Sequence, residues 1–523
     1  MNRSTRENLQ MTCRKSLTVG VGVAMALGVA ACDSDKLTNV NDNPNNPTVA
    51  PAPALFTNAV RLSVSRWLGA GFNLRSTTLT AQHLAEVQYP ETDQYKRLSA
   101  SFTTGFFDGA YSGELEDLEQ VIRSATAAGD AGLYGPALVM RTWGFAFLTD
   151  SWGDVPYSNA LQGDAAGILS PKYDMQKDIY ADFFKTLAKA TADMSAPAET
   201  GFGSADPIYG GDLSGWQKFS NSLRARQAMR LANVDATTAR TEFGAAMAAA
   251  GGLMASNADN AEFSWPGDGV YDNPWAANFK TRDDHRLSNT LINVLVPTGD
   301  PRLAVYAQPT EANPATYAGM PNALSHNDAQ VYFKTSSRPG AVFYPGATAY
   351  GNFGGDGTTW PSFLMTYAEV SLLKAEAAER GWIPGSAKSF YENGIRASME
   401  QWGVTNSAAI GAFIAGPTVA YAGGANGLRQ IALQKWVALY TDGGQAWAEW
   451  RRTCVPSTIK PGPEAVSNIV PRRLQYSITE NSVNSASLAE ATARQGADVF
   501  ASRMYWDKSP TAAPTYVAGC GQR

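Results

Sequence analysis

Apolar residues return at three- and four-residue steps over much of the chain, the spacing that gathers them on one side of an α-helix. This pattern predicts helices over Ala54–Leu68, Thr77–Val87, Glu114–Ala127, Pro136–Thr149, Gln176–Met194 and Trp216–Ala232. It predicts three more over Phe363–Arg380, Ala387–Trp402 and Leu428–Trp450. Within Phe363–Arg380, the residues Phe363, Tyr367, Val370, Leu373 and Ala377 make one stripe; Gly381 supplies a stop, and Pro384-Gly385 a turn into the next helix. Helices in pairs joined by short turns predict a mostly α fold with a stacked-hairpin, solenoid-like core. No regular period of about 34 residues can be written out, so any repeats are degenerate.

Between about residues 255 and 360 the helical pattern gives way to Gly, Pro, Asn, Asp and aromatics, as in NAEFSWPGDGVYDNPW and FYPGATAYGNFGGDGTTW. Long irregular segments inside a compact body usually carry binding or catalytic work. No clean linker divides the chain, which predicts a single domain over residues 51–523 with an α core and a loop-rich face.

The N-terminus reads differently. Arg3, Arg6, Arg14 and Lys15 precede an uncharged run from Ser16 to Ala31, and then Cys32. A basic start, a short apolar run and small residues before the cut describe a secretory signal over residues 1–31, too short for a good membrane span. Met11 offers an alternative start that gives a more usual signal length. Val29-Ala30-Ala31-Cys32 resembles the bacterial lipobox, which implies an acylated Cys32 (palmitate-type chains) at the mature terminus. Several acyl chains on one cysteine give stable anchoring, since each buried methylene contributes about 0.8 kcal/mol. Residues 32–50 are polar, Asn-rich and broken by Pro, a tether between lipid and folded body. Asp33, Asp35 and Asp42 lie in that tether, but their spacing fits no standard calcium loop, so no structural calcium is indicated. Cys454 and Cys520 remain as an even pair in an oxidising compartment and are expected to be bonded.

The chain of 523 residues carries 42 Lys+Arg against 47 Asp+Glu, a net charge of −5. Loss of residues 1–31 removes four basic residues and Glu7, which brings the net charge to −8. That balance offers no basic surface for nucleic acid, and it disfavours strongly anionic glycans unless a local basic patch exists. The three histidines, His83, His285 and His326, are far apart in sequence, so no histidine-built metal site is expected. There is no phosphate-cradling Gly-rich loop, no H-E-x-x-H, no G-x-S-x-G and no C-x-x-C, and no cofactor or catalytic residue is indicated. Trp382 and Trp436 sit on helical stripes as core, and Arg224, Arg226 and Arg230 read as guanidinium groups holding structure together.

A series of segments then carries a resemblance. FLTDSWGDVPYSNAL (Phe147–Leu161) with PKYDMQKDIY (Pro171–Tyr180) is similar to the signature of the SusD/RagB nutrient-binding lipoproteins, in the SusD-like branch. Ile208–Arg230, Gly299–Tyr306, Thr366–Trp382, Gln434–Thr453 and Pro471–Asn484 have counterparts there in the same order. The resemblance implies a mostly α fold on tetratricopeptide-like helix pairs with a loop-rich ligand face. It implies an outer-membrane lipoprotein, lipid-anchored and usually displayed on the cell surface, whose partner is a SusC-like TonB-dependent transporter. Members capture oligosaccharides or, second, peptides, without cleaving them. An outer-membrane glycan hydrolase and a helical-repeat scaffold lipoprotein stand as alternatives.

Sugar rings offer apolar faces for stacking on Trp and Tyr, while Asn, Asp and Arg bind hydroxyls, so several such groups must converge. Loop position and chemistry single out Tyr89 and Tyr95, then Trp265, Tyr271, Asn273 and Trp275, then Tyr344, Tyr350, Asn352 and Trp360. Trp152, Asp154 and Tyr157 are expected to build scaffold rather than touch ligand.

Overall fold

A computed structural model describes residues 50–195, 201–344 and 357–523. The signal run, Cys32, nearly all of the tether, Tyr350 and Asn352 lie outside the described residues.

The longer elements follow the apolar periodicity. In chain order they are α1 (Ala52–Trp67), β1 (Leu84–Glu86), α2 (Ala100–Ala110), α3 (Glu116–Ala128), α4 (Ala131–Trp152), α5 (Gln176–Asp193), α6 (Leu213–Arg230) and α7 (Ala236–Ala248). Then come β2 (Ala261–Phe263), α8 (Pro274–Phe279), β3 (His285–Leu287), α9 (Asn289–Thr298), β4 (Ser362–Met365), α10 (Tyr367–Glu379) and α11 (Ala387–Gln401). The series closes with α12 (Ser407–Ile414), α13 (Gly424–Ala438), α14 (Gly443–Thr453) and α15 (Ser485–Gln495). Helices adjacent in sequence pack on one another: α3 on α4, α4 on α5, α5 on α6, α6 on α7, and α10 on α11. The fold is therefore the mostly α, helix-pair architecture that the pattern predicts. Local chemistry sets the joints. Gly129 ends α3 in the left-handed conformation, and the Asp130 carboxylate caps α4 by accepting from the Gly132 amide at 3.0 Å.

Three predicted helices are cut differently, each by a tertiary contact. Thr77–Val87 is not one helix: a π-helical segment over Ala70–Thr77 runs into a single turn, Gln82 takes a positive φ of 55°, and residues 84–86 pair as β1. Phe363 lies on β4, paired with β2, and Thr366 caps the helix that follows at the Glu369 amide. Leu428–Trp450 breaks between α13 and α14. There, the Asn73 side chain donates to Thr441 O at 2.7 Å and accepts from the Gly443 amide at 2.9 Å. A Cβ at Gly443 would stand 2.4 Å from Thr78 N, so the two chains meet backbone to backbone.

The interior is aromatic and, unusually, ionic. Trp67, Phe72, Phe107, Phe147 and Trp152 interlock with ring centroids 4.9–6.5 Å apart. Arg226 on α6 holds Glu369 on α10 through two bonds of 2.5 and 2.7 Å, both side chains buried. Arg452 and Lys435 share Glu449 and Glu376, at 2.5–3.8 Å, joining α10, α13 and α14. The scaffold segment is used as expected: Trp152 is buried, Asp154 accepts from the Gln176 amide at 2.9 Å, and the Tyr157 hydroxyl donates to Asp182 at 2.6 Å. Cys454 and Cys520 are bonded, with their Cα atoms 6.1 Å apart.

Two stability tests follow from this interior. Glu369→Ala leaves a buried guanidinium without its carboxylate, and a loss of about 3–5 kcal/mol is expected in chemical denaturation; a loss under about 1 kcal/mol would contradict the account. The disulfide closes a sequence separation of 66 residues. The double change Cys454→Ser, Cys520→Ser is expected to cost up to about 4 kcal/mol on the chain-entropy view, read as a lowered Tm that reductant reproduces in the parent.

Candidate functional site

β1 and β3, about two hundred residues apart, pair antiparallel, with Leu84 opposite Leu287, Ala85 opposite Arg286 and Glu86 opposite His285. The Val87 amide donates to Asp284 O at 2.7 Å and the Ser288 amide to His83 O at 3.0 Å, extending the ladder. Side chains directly opposite in such a pair share a face. The register therefore puts Glu86 against His285, 3.2 Å apart and both buried.

The chain leaving β1 turns back on itself. Asp93, buried, accepts from the Glu86 amide at 3.2 Å and from the Asn322 side chain at 2.7 Å, fixing the turn between Tyr89 and Leu98. This leaves the Tyr89 ring 43% exposed. The Arg282 guanidinium lies over that ring, 5.3 Å from its centroid, and contacts the buried Asp284 at 3.3 Å. Arg75, at the end of the π-helical segment, donates to the Asn278 side-chain oxygen on α8, while its neighbour Leu74 offers its carbonyl to His285 Nε2 at 3.2 Å. Arg97, on the same turn as Tyr89, lies over the exposed Phe102 ring at 5.3 Å. A flat exposed ring, a guanidinium clamped above it and further donors on a ladder-fixed base form a platform suited to stacking and to binding hydroxyl or anionic groups.

Burial governs the charges beneath it. It pushes the Glu86 carboxyl well above the ordinary range, with the negative Asp284 and Asp93 adding to the effect and Arg75 and Arg97 opposing it. Burial also lifts Asp93 to about 7, against the hydrogen bonds it accepts. His285 is pushed down to about 3, by burial first and then by the charge on Arg75. In the Glu86–His285 contact, burial thus works against the charged form of both partners. Glu86, Asp284 and His285 are the trio among the described residues whose ligand atoms lie within 4.8 Å of one another, as a metal ion needs. Arg75 and Arg282 press on the same trio with positive charge. The sequence spacing of the histidines gave no sign of this trio, because strand pairing builds it.

The residues singled out from sequence divide sharply. Tyr89 and Tyr271 are exposed, the latter with the Arg61 guanidinium 5.2 Å from its ring centroid, in a turn held by bonds of 2.9 and 2.7 Å to Asp268. Six others correct the expectation of open binding groups, because packing has claimed them. Tyr95 is 2% exposed, held under its own turn with a left-handed φ of 68°. Trp265 is buried, its indole donating to Ser362 Oγ at 3.0 Å. Asn273 caps α8 through the Trp275 and Ala276 amides and donates to Trp360 O at 2.8 Å. Trp275 packs on Phe343 at 5.0 Å. Trp360 is half-buried and stacks on Trp402 at 5.4 Å, and Tyr344 stacks on Phe279 at 4.6 Å. The space among Asn273, Trp275 and Trp360 is about 10 Å³, enough for one water molecule. Arg75, Arg97, Asn278 and Arg282 were missed; the dense run Lys280-Thr-Arg-Asp-Asp-His-Arg286 in the loop-rich region was the available signal. A separate cleft of about 330 Å³ opens between α9, α13 and the Cys454–Thr458 segment. No helix among the described residues is long and apolar enough to cross a membrane.

The chain as a whole is similar to known proteins. The family described as SusD-like, "starch-binding associating with outer membrane", matches residues 44–477. A solved chitin-binding protein is 27% identical, with a TM-score of 0.77, and the match covers 87% of this chain and 100% of that one. A chitin-binding SusD homologue from Flavobacterium johnsoniae is 25% identical, with a TM-score of 0.76 over 89% of this chain and 99% of the other. A SusD homologue from Bacteroides uniformis shares the fold at 22% identity and a TM-score of 0.75, over 87% and 99% of the two chains. None of the curated proteins matches the chain.

The buried carboxyl of Asp93 makes a pH test. It ionises near 7 in the fold and near about 4 when unfolded. Between those values the folded chain holds a proton that the unfolded chain has released, so stability through this group falls as pH rises from about 4 to about 7. His285 acts in the opposite sense, costing stability as pH falls from about 6.5 toward 3. Asp93→Asn is expected to raise Tm at about pH 8 and to leave it nearly unchanged at about pH 4. Calorimetry showing the same shift at both pH values would contradict this.

Proposed function

The chain belongs to the SusD-like branch of the SusD/RagB family, and on that premise we propose that it is a non-catalytic lipoprotein of the outer membrane that captures an oligosaccharide. In this reading Cys32 carries the lipid, the polar tether spaces the body from the membrane, and the captured sugar passes to a SusC-like TonB-dependent transporter. The observation that carries the binding reading is the exposed Tyr89 ring under Arg282, held on the β1–β3 base. Family membership and two chitin-binding structural relatives support the same class of ligand. Tyr271 with Arg61 offers a second platform of the same kind.

The test is calorimetric titration with a panel of neutral and acidic hexasaccharides, followed by the same titration of Tyr89→Ala. Loss of one stacking face is expected to weaken binding about tenfold, with the sugars recovered intact. Shortened products would favour the hydrolase alternative, and unchanged affinity in Tyr89→Ala would remove this platform from the site. Affinity purification from outer membranes is expected to retain a β-barrel transporter, and Cys32→Ser to release the protein into the soluble fraction.

A further inference from the structure

We propose that the Tyr89 platform selects a glycan that carries anionic groups, carboxylate or sulfate, rather than a neutral one. This rests on the carbohydrate-binding reading of the same platform. Three guanidinium groups, Arg75, Arg97 and Arg282, gather around the Glu86–His285 base beneath Tyr89, and of these Arg282 alone holds a carboxylate within 4.0 Å among the described residues. Arg66, Arg226, Arg302, Arg338, Arg452 and Arg472 each hold an acidic side chain within 3 Å. Arg75, by contrast, is satisfied by an amide oxygen, that of Asn278. Arg97 has the Phe102 ring as its neighbour and no carboxylate within 4.0 Å among the described residues. Arg282 has Asp284 at 3.3 Å, and 40% of its side chain stays exposed above Tyr89.

The acids close to the trio do not cancel it. Asp284 is the counterion of Arg282, while Glu86 is buried against His285 and Asp93 is buried under the Asn322 side chain and the Glu86 amide, so neither reaches the exposed face of Tyr89. Asp283, the next acid along the chain, is engaged by Arg286 and Arg338. Lys280 is paired with Asp272. Glu91 and Lys96, both exposed on the turn, offset each other. The surface at Tyr89 is thus positive on a chain whose net charge is negative, and a planar guanidinium pairs with carboxylate or sulfate oxygens through two parallel donors. The net charge of the chain governs approach from a distance; within a Debye length the local arginines decide.

The experiment titrates the full chain in detergent with hexasaccharides of equal length: oligogalacturonate, oligomannuronate and a chondroitin sulfate fragment against N-acetylglucosamine and maltose oligomers. An acidic hexamer is expected to bind at least about tenfold more tightly than either neutral one, and to lose that advantage as salt rises from about 20 to about 300 mM. Arg97→Gln is expected to lower the affinity for the acidic hexamer about tenfold and to flatten its salt dependence. The salt series on the parent protein gives the same answer should that variant fold poorly. Neutral hexamers binding as tightly as acidic ones, with no salt dependence, would overturn the proposal and leave the carbohydrate reading standing. No binding by any hexamer would overturn both.

Discussion

One short antiparallel pairing decides how the residues beneath Tyr89 are arranged. Residues 84–86 and 285–287 are about two hundred positions apart, yet their register sets which side chains meet. Side chains alternate with a period of two along a strand, so a slip of one residue would separate Glu86 from His285 and turn Arg286 to the other side. Such a long loop closure carries an entropic cost, and strands of three residues supply too few hydrogen bonds to hold themselves. The pairing therefore depends on what surrounds it.

The helical stack provides that support. His83 Nε2 meets Trp436 O at 2.9 Å, and the Trp436 indole returns a hydrogen bond to Ala81 O at 3.2 Å, tying the start of β1 to α13. Asn322 reaches Leu84 O at 2.8 Å and Asp93 at 2.7 Å, so one amide holds both the strand and the turn that presents Tyr89. Behind α13, the buried carboxylates and cations of Glu376, Lys435, Glu449 and Arg452 fix the angle between helices. Such networks add little stability over apolar packing of the same volume. They hold one geometry, because any slide of a helix leaves a buried charge unpaired.

Burial also shapes the electrostatics. Burial shifts the carboxyls beneath the strand pair toward their protonated form, while guanidinium groups, whose pKa lies far above neutrality, stay charged. The aromatic supply was likewise redistributed. Tyr95, Trp265 and Trp275 went into the core because each could satisfy its packing there, and Tyr89 and Tyr271 stayed out with an arginine above each ring.

The helix pairs could be read from the amino-acid sequence because their signal is local: apolar spacing, Gly stops and Asp or Thr caps act within a few residues. The ordered motifs from Phe147 to Asn484 made the family legible for the same reason. What only the three-dimensional arrangement decided was non-local. The strand at 84–86, the break before Asp442 and the burial of Tyr95 and Trp275 each depend on contacts with residues distant in the chain. So does the gathering of Arg75, Arg97 and Arg282 around Glu86 and His285. Periodicity fixes which face of a helix is apolar; it carries no information about which loop a tertiary hydrogen bond will fold inward.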